Sequence, residues 1–165
     1  VLDQDYEIFE QATPHLILKH EYLVDSAGPG RWRGGVGVET MFEFHGKGIK
    51  VVTFGDGDVE PSRGSQGGME GSLNFIKLKY PGDADWQTLT TKDLVHNVPD
   101  GTIYWQYASG GGGWGDPKQR PAEKVLHDVR NELVSLESAR RDYGVAINSD
   151  TWEIDWQETE KLRAA

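Results

Sequence analysis

Ile103-Tyr-Trp-Gln-Tyr107, Gly110-Gly-Gly-Gly-Trp-Gly-Asp-Pro117 and Pro121-Ala-Glu-Lys-Val-Leu-His-Asp-Val-Arg-Asn-Glu-Leu133 follow one another along the chain. The first is a strand pattern of β-branched and aromatic residues. The third repeats its apolar residues Val125, Leu126, Val129 and Leu133 at helical spacing, and Pro121 suits a first helical position. The period therefore changes across a run of glycine. This predicts an α+β, mainly β chain: a β-rich body over residues 1–117 and a short helical region over 118–165, in a single domain.

Strand patterns also lie upstream. His15-Leu-Ile-Leu-Lys-His-Glu-Tyr-Leu-Val24 ends in the turn cluster Asp25-Ser-Ala-Gly-Pro-Gly30. Val38, Thr40, Phe42 and Phe44 alternate with Glu39 and Glu43. The turn His45-Gly-Lys-Gly48 and the strand Ile49-Lys-Val-Val-Thr-Phe54 then predict a hairpin. Leu73-Asn-Phe-Ile-Lys-Leu-Lys-Tyr80 stops at Pro81-Gly82, and Asp100-Gly101 marks another turn. Downstream, Ser135 is a candidate N-cap and Gly144 a helix stop. Near the end two readings stand side by side: Trp152, Ile154 and Trp156 alternate as in a strand, or Asp155-x-x-Glu158 caps a last helix.

Composition narrows the function. The 165 residues carry a net charge of −10, which argues against a nucleic-acid or anionic-membrane partner because both need a basic surface. No cysteine is present, so thiolate metal sites, disulfides and cysteine nucleophiles are excluded. No apolar run approaches a membrane span and no signal-peptide pattern occurs, so a cytoplasmic setting is expected. The five histidines show no metal-ligand spacing. Asp56, Asp58 and Glu60 read as a solvated turn rather than a calcium loop. No metal ligand set is expected here.

The 21 glycines are about twice the usual share, yet six Trp, six Tyr and five Phe speak for a folded chain. The glycines gather in Ser26-Ala-Gly-Pro-Gly-Arg-Trp-Arg-Gly-Gly-Val-Gly37, in Ser62-Arg-Gly-Ser-Gln-Gly-Gly-Met-Glu-Gly71 and in the run from Gly110. One use of such runs is an anion cradle of free N–H groups. Gly110, Gly111, Gly112 and Gly113, with Arg31, Arg33 and Asp116, are the candidates for contacting an anion or fixing loops. The run is no P-loop: the Lys-Ser/Thr pair is missing and Asp116 places negative charge there. The commoner use is structural, through positive φ, close packing or polyproline II geometry. Trp32, Trp114, Trp152 and Trp156 are candidate interface anchors. No catalytic acid–base pair can be named.

In order, these clusters carry a resemblance. Asp25-Ser-Ala-Gly-Pro-Gly-Arg-Trp-Arg-Gly-Gly-Val-Gly37, Gly110-Gly-Gly-Gly-Trp-Gly-Asp-Pro117 and Asp128-Val-Arg-Asn-Glu-Leu-Val-Ser-Leu-Glu-Ser-Ala-Arg-Arg-Asp-Tyr-Gly-Val145 resemble successive motifs of the hydantoinase B family. That family includes the matching half of 5-oxoprolinase and large subunits of acetone and acetophenone carboxylases. Ala27 and Glu132 stand where the family has glycine. The resemblance covers only the last quarter or so of a family member. It implies a small subunit or split C-terminal part of an ATP-dependent complex, and the multi-subunit carboxylase branch is the leading expectation. A cyclic-amide hydrolase, or a purely structural interaction module, is the alternative. ATP and a divalent metal are expected on partner chains, namely larger hydantoinase A-like and hydantoinase B-like subunits. Because Val1 lies near the start of the resemblance, a split-protein boundary is expected there.

Overall fold

A computed structural model describes residues 5–164; Val1, and the expectation attached to it, lies outside them. The chain forms two compact units, each built from discontinuous segments. Among the described residues, no helix is long and apolar enough to cross a membrane.

The first unit takes the segments up to Glu21, Glu39–Val59 and Asn74–Ala108. A short helix, α1 (Tyr6–Ala12), precedes strands β1 (Leu16–Tyr22), β2 (Val38–Phe44), β3 (Ile49–Val52), β4 (Phe75–Lys79), β5 (Gln87–Leu89), β6 (Leu94–Val98) and β7 (Thr102–Ala108). Five strands form one sheet in the order β1-β2-β7-β4-β5, and β3 pairs with β6 in a separate ribbon. Alternation in β4 turns Ile76 and Leu78 inward. They meet Val51, Leu89 and Val98 in one core, with Phe44 and Tyr104 packed against it. On the other face Lys77 stands opposite Trp105 and holds its ammonium 5.4 Å from that ring. The buried Glu39 carboxylate accepts from Trp105 Nε1 at 2.8 Å and pairs with Lys19 at 2.7 Å.

The expected β2–β3 hairpin does not form. Both edges of β2 are occupied, by β1 and β7, and its end is tied to the turn before β7. Gly101 N–H donates to the Phe44 carbonyl at 2.7 Å, and Gly46 N–H donates to Asp100 Oδ1 at 2.7 Å. Gly46 (φ 121°) and Gly48 (φ 69°) then lead the chain away to pair with β6 instead.

The second unit takes Tyr22–Val38, Glu60–Leu73 and the residues from Ser109 onward. The glycine clusters lie here with a 3-10 turn at Pro117–Gln119, α2 (Ala122–Arg130), α3 (Leu136–Arg141) and α4 (Trp156–Ala164). Ala122, Val125, Val129, Val134, Ala139, Tyr143 and Val145 form its core. Pro121 is the N-cap of α2 rather than its first residue. Ser135 Oγ accepts from Ser138 N–H at 3.0 Å and so caps α3. Asp155 Oδ1 accepts from Glu158 N–H at 3.0 Å, which makes this last segment a capped helix. Ile154 still makes a single bridge with Ile147.

The end of α2 accounts for Glu132. Its N–H donates to the Val129 carbonyl at 3.1 Å, and Leu133 N–H donates to the Asp128 carbonyl at 2.9 Å. This is a Schellman end, which requires a left-handed residue at Glu132, and its φ is 57°. A non-glycine residue is strained there by about 1 kcal/mol. Glu132→Gly is therefore expected to stabilise the chain by about that amount, read as a rise in denaturation midpoint.

Candidate functional site

The three glycine clusters pack backbone against backbone. Gly28 N–H donates to the Gly111 carbonyl at 2.8 Å, Gly111 N–H to Gly35 at 2.9 Å, and Gly113 N–H to Met69 at 2.9 Å. Trp32 and Trp114 exchange a pair of bonds at 3.0 and 2.9 Å. Met69 N–H, from the middle cluster, donates to the Pro29 carbonyl at 2.7 Å. A Cβ on Gly34 would overlap the Gly111 carbonyl, so no other residue fits without moving the neighbouring segment. Gly35, one residue on, has open space around its Cβ position.

This packing decides what the candidate anion loop can do. The N–H groups of Gly111 and Gly113 donate to carbonyls inside the unit, and Gly110 N–H donates to Ser72 Oγ at 3.1 Å. Gly112 lies against the Arg63 backbone. Asp116 Oδ1 accepts from Lys118 N–H at 2.9 Å and caps the 3-10 turn. The run does not present a row of free donors.

Arg33 and Arg31 go different ways. Arg33 Nε lies 3.2 Å from Asp128 Oδ2 and its NH2 lies 3.3 Å from Oδ1, a forked pair. Arg120 NH2 meets the same carboxylate at 2.8 Å. Asp128 and Arg120 are 3% and 8% exposed, so this is a buried Arg-Asp-Arg triad. Removing Asp128 would leave the buried Arg120 guanidinium without its carboxylate, a change that typically costs about 3–5 kcal/mol, whereas removing either arginine leaves Asp128 paired with the other. Arg33 thus ties the first glycine cluster to α2. Arg31 stays exposed, and its N–H donates to the Gly115 carbonyl at 3.1 Å.

Asp128, Arg120 and Tyr143 do not stand out as site residues in the sequence. The signal is present in the Asp128-Val-Arg and Tyr143-Gly-Val motifs, but spacing cannot show that Asp128 meets an arginine 95 residues upstream. Tyr143 is buried, and burial pushes its hydroxyl up to about 12; the nearby Arg120 partly opposes this. Beside it lies a cleft of about 160 Å³ whose walls include Asp25, Glu70, Ser72, Ser138 and Arg141. Asp142 holds Arg141 in a fork, with both contacts at 2.8 Å. Asp25 Oδ1 accepts from Ser135 N–H at 2.8 Å.

The four candidate interface tryptophans, Trp32, Trp114, Trp152 and Trp156, are all 40% or more exposed. Trp32 and Trp114 stand together on the bridged backbone, with Lys124 Nζ 5.3 Å from the Trp32 ring. Among the described residues, no three His, Asp or Glu side chains converge as a metal site.

The family model described as Hydantoinase B/oxoprolinase matches residues 1–117. The chain belongs to this family. It is 35% identical over 170 residues to the caprolactamase beta subunit of Pseudomonas jessenii, covering 100% of this chain and 29% of that one. It is 29% identical over 157 residues to the B component of a putative D-/L-hydantoinase from a Pseudomonas species, covering 95% and 26%. It is 25% identical over 178 residues to the acetone carboxylase alpha subunit of Xanthobacter autotrophicus, covering 87% and 23%. The crystal structure of ATP-dependent caprolactamase from Pseudomonas jessenii matches with a TM-score of 0.82 at 31% identity, over 99% of this chain and 28% of that chain. The chain spans under a third of its relatives' length and corresponds to their C-terminal portion.

Two measurements check the site. Gly34→Ala is expected to cost about 3 kcal/mol or more, whereas Gly35→Ala is expected to stay within about 0.5 kcal/mol of zero; urea unfolding of the pair reads the difference. Burial likewise pushes Tyr104 up to about 12. A raised folded-state value means stability is present below pH 10 and lost as pH rises from 10 towards 12. Burial also raises Tyr107, so absorbance titration is expected to show Tyr104, Tyr107 and Tyr143 ionising late, together with unfolding.

Proposed function

We propose that this chain is the C-terminal portion of an ATP-dependent enzyme that opens cyclic amides, acting with larger hydantoinase A-like and hydantoinase B-like polypeptides. The observation that supports this branch is the identity to the caprolactamase subunit, 35%, against 25% to the acetone carboxylase subunit. It favours the amide branch over the carboxylase branch expected from the sequence.

A lactam carbonyl is a poor electrophile. Transfer of the γ-phosphoryl group of ATP to its oxygen gives ADP and an O-phosphorylated imidate. Water adds at the carbon, the C–N bond breaks and the amine leaves protonated. A second water releases phosphate from the acyl phosphate, giving the ring-opened amino acid. In this reading ATP and a divalent metal belong to the partner polypeptides. This chain supplies the scaffold: the glycine segments, the Arg33–Asp128–Arg120 triad, and the exposed Trp32 and Trp114 facing a partner.

The test compares the isolated chain with the co-purified assembly. The assembly is expected to hydrolyse ATP in a lactam- or hydantoin-dependent way, and the isolated chain is not. Stimulation by a ketone with bicarbonate instead would move the assignment to the carboxylase branch. Turnover by the isolated chain would contradict the scaffold role. Trp114→Ala separates interface from site: loss of assembly supports the interface role, while loss of turnover in an intact assembly puts Trp114 at the reaction.

A further inference from the structure

The β3–β6 ribbon carries an apolar ridge that no described residue covers. β3 and β6 place Val52 opposite Leu94. Alternation sends Val51 into the core and leaves Val52 outside; the next residues continue the pattern, with Thr53 buried and Phe54 out. Val52 is 68% exposed, Leu94 55% and Phe54 94%. A cross-strand pair and its neighbour two residues on share one face of a ribbon, so these three side chains form a continuous stripe.

This exposure is built rather than accidental. Pairing runs on past β3: Thr53 N–H donates to the Asp93 carbonyl and Gly55 N–H to the Thr91 carbonyl, both at 2.9 Å. The Thr53 hydroxyl donates to the Thr90 carbonyl at 2.9 Å and accepts from Asp93 N–H at 2.7 Å. Phe54 is therefore held on both sides in an extended backbone and presented rigidly to solvent. Scattered exposed apolar residues are ordinary. A fixed, nearly fully exposed phenylalanine joined to two more apolar side chains marks a contact surface.

We infer that this ridge, Val52–Phe54–Leu94, docks against a larger hydantoinase B-like polypeptide corresponding to the part of the relatives outside the matched stretch. The inference rests on the proposed assembly. Its relatives extend well beyond the matched stretch, which is 29% of the caprolactamase subunit. A second copy of the chain is the weaker occupant, because two surfaces of net charge −10 repel each other.

The test is co-expression with the hydantoinase B-like large polypeptide of the same source organism, followed by measured affinity for wild type, Phe54→Ser and Val52→Lys. Both positions are exposed, so both variants are expected to keep the wild-type denaturation midpoint. Each is expected to bind at least tenfold more weakly, as for an aromatic anchor. Wild-type binding that is unchanged in both variants would overturn the ridge while leaving the assembly standing. Failure of the wild type to bind would overturn the assembly, and the ridge with it. A wild-type dimer that Phe54→Ser dissolves would assign the ridge to a second copy and overturn the inference.

Discussion

Backbone-to-backbone contact between three glycine segments is the constraint on which the second unit depends. At Gly34 the space for a side chain is already filled by the Gly111 carbonyl. Close approach of this kind lets main-chain groups satisfy one another outside any regular ladder. It also accounts for part of the glycine content: Gly28, Gly34, Gly68, Gly110, Gly112 and Gly113 sit where the segments touch. The Trp32–Trp114 bridge extends the same contact outward and sets two large rings on its rim.

The triad adds a second, longer-range tie. Asp128 accepts from Arg33, which lies in the first cluster, and from Arg120, which follows the third cluster. One buried carboxylate on α2 thereby fixes both segments to the helical core. The arrangement also keeps Arg33 from acting as a free anion clamp, since its forked face is already engaged. Only Arg31 of the pair remains exposed. These features support the proposed scaffold role.

Local features were legible in the sequence. Ser135 caps α3 and Asp155 caps α4 through short-range bonds that spacing alone encodes. β4 ends before Pro81, and β7 follows the Asp100-Gly101 turn. The β2–β3 hairpin failed because partner choice depends on which strands occupy each edge, and β7, the competitor, lies far along the chain. α1 and β5 escaped notice because they are short, and α1 has no buried residue to set a period. β6 is interrupted by Asn97 at φ 53°. The site shows the same divide. The motifs pointed to the right segments, but the Arg33–Asp128 contact spans 95 residues and leaves no local trace. Glu132 is the reverse case: its departure from the family pattern was visible, and the left-handed backbone shows why glycine suits that position better.

The central claim is that this chain works as a scaffolding part of a larger enzyme. Native mass spectrometry of the chain purified under mild conditions from its source organism tests it most directly. The account predicts a stable species far heavier than the 18.4 kDa chain, containing both larger hydantoinase-type polypeptides. A lone 18.4 kDa species that turns over a substrate without partners would contradict it.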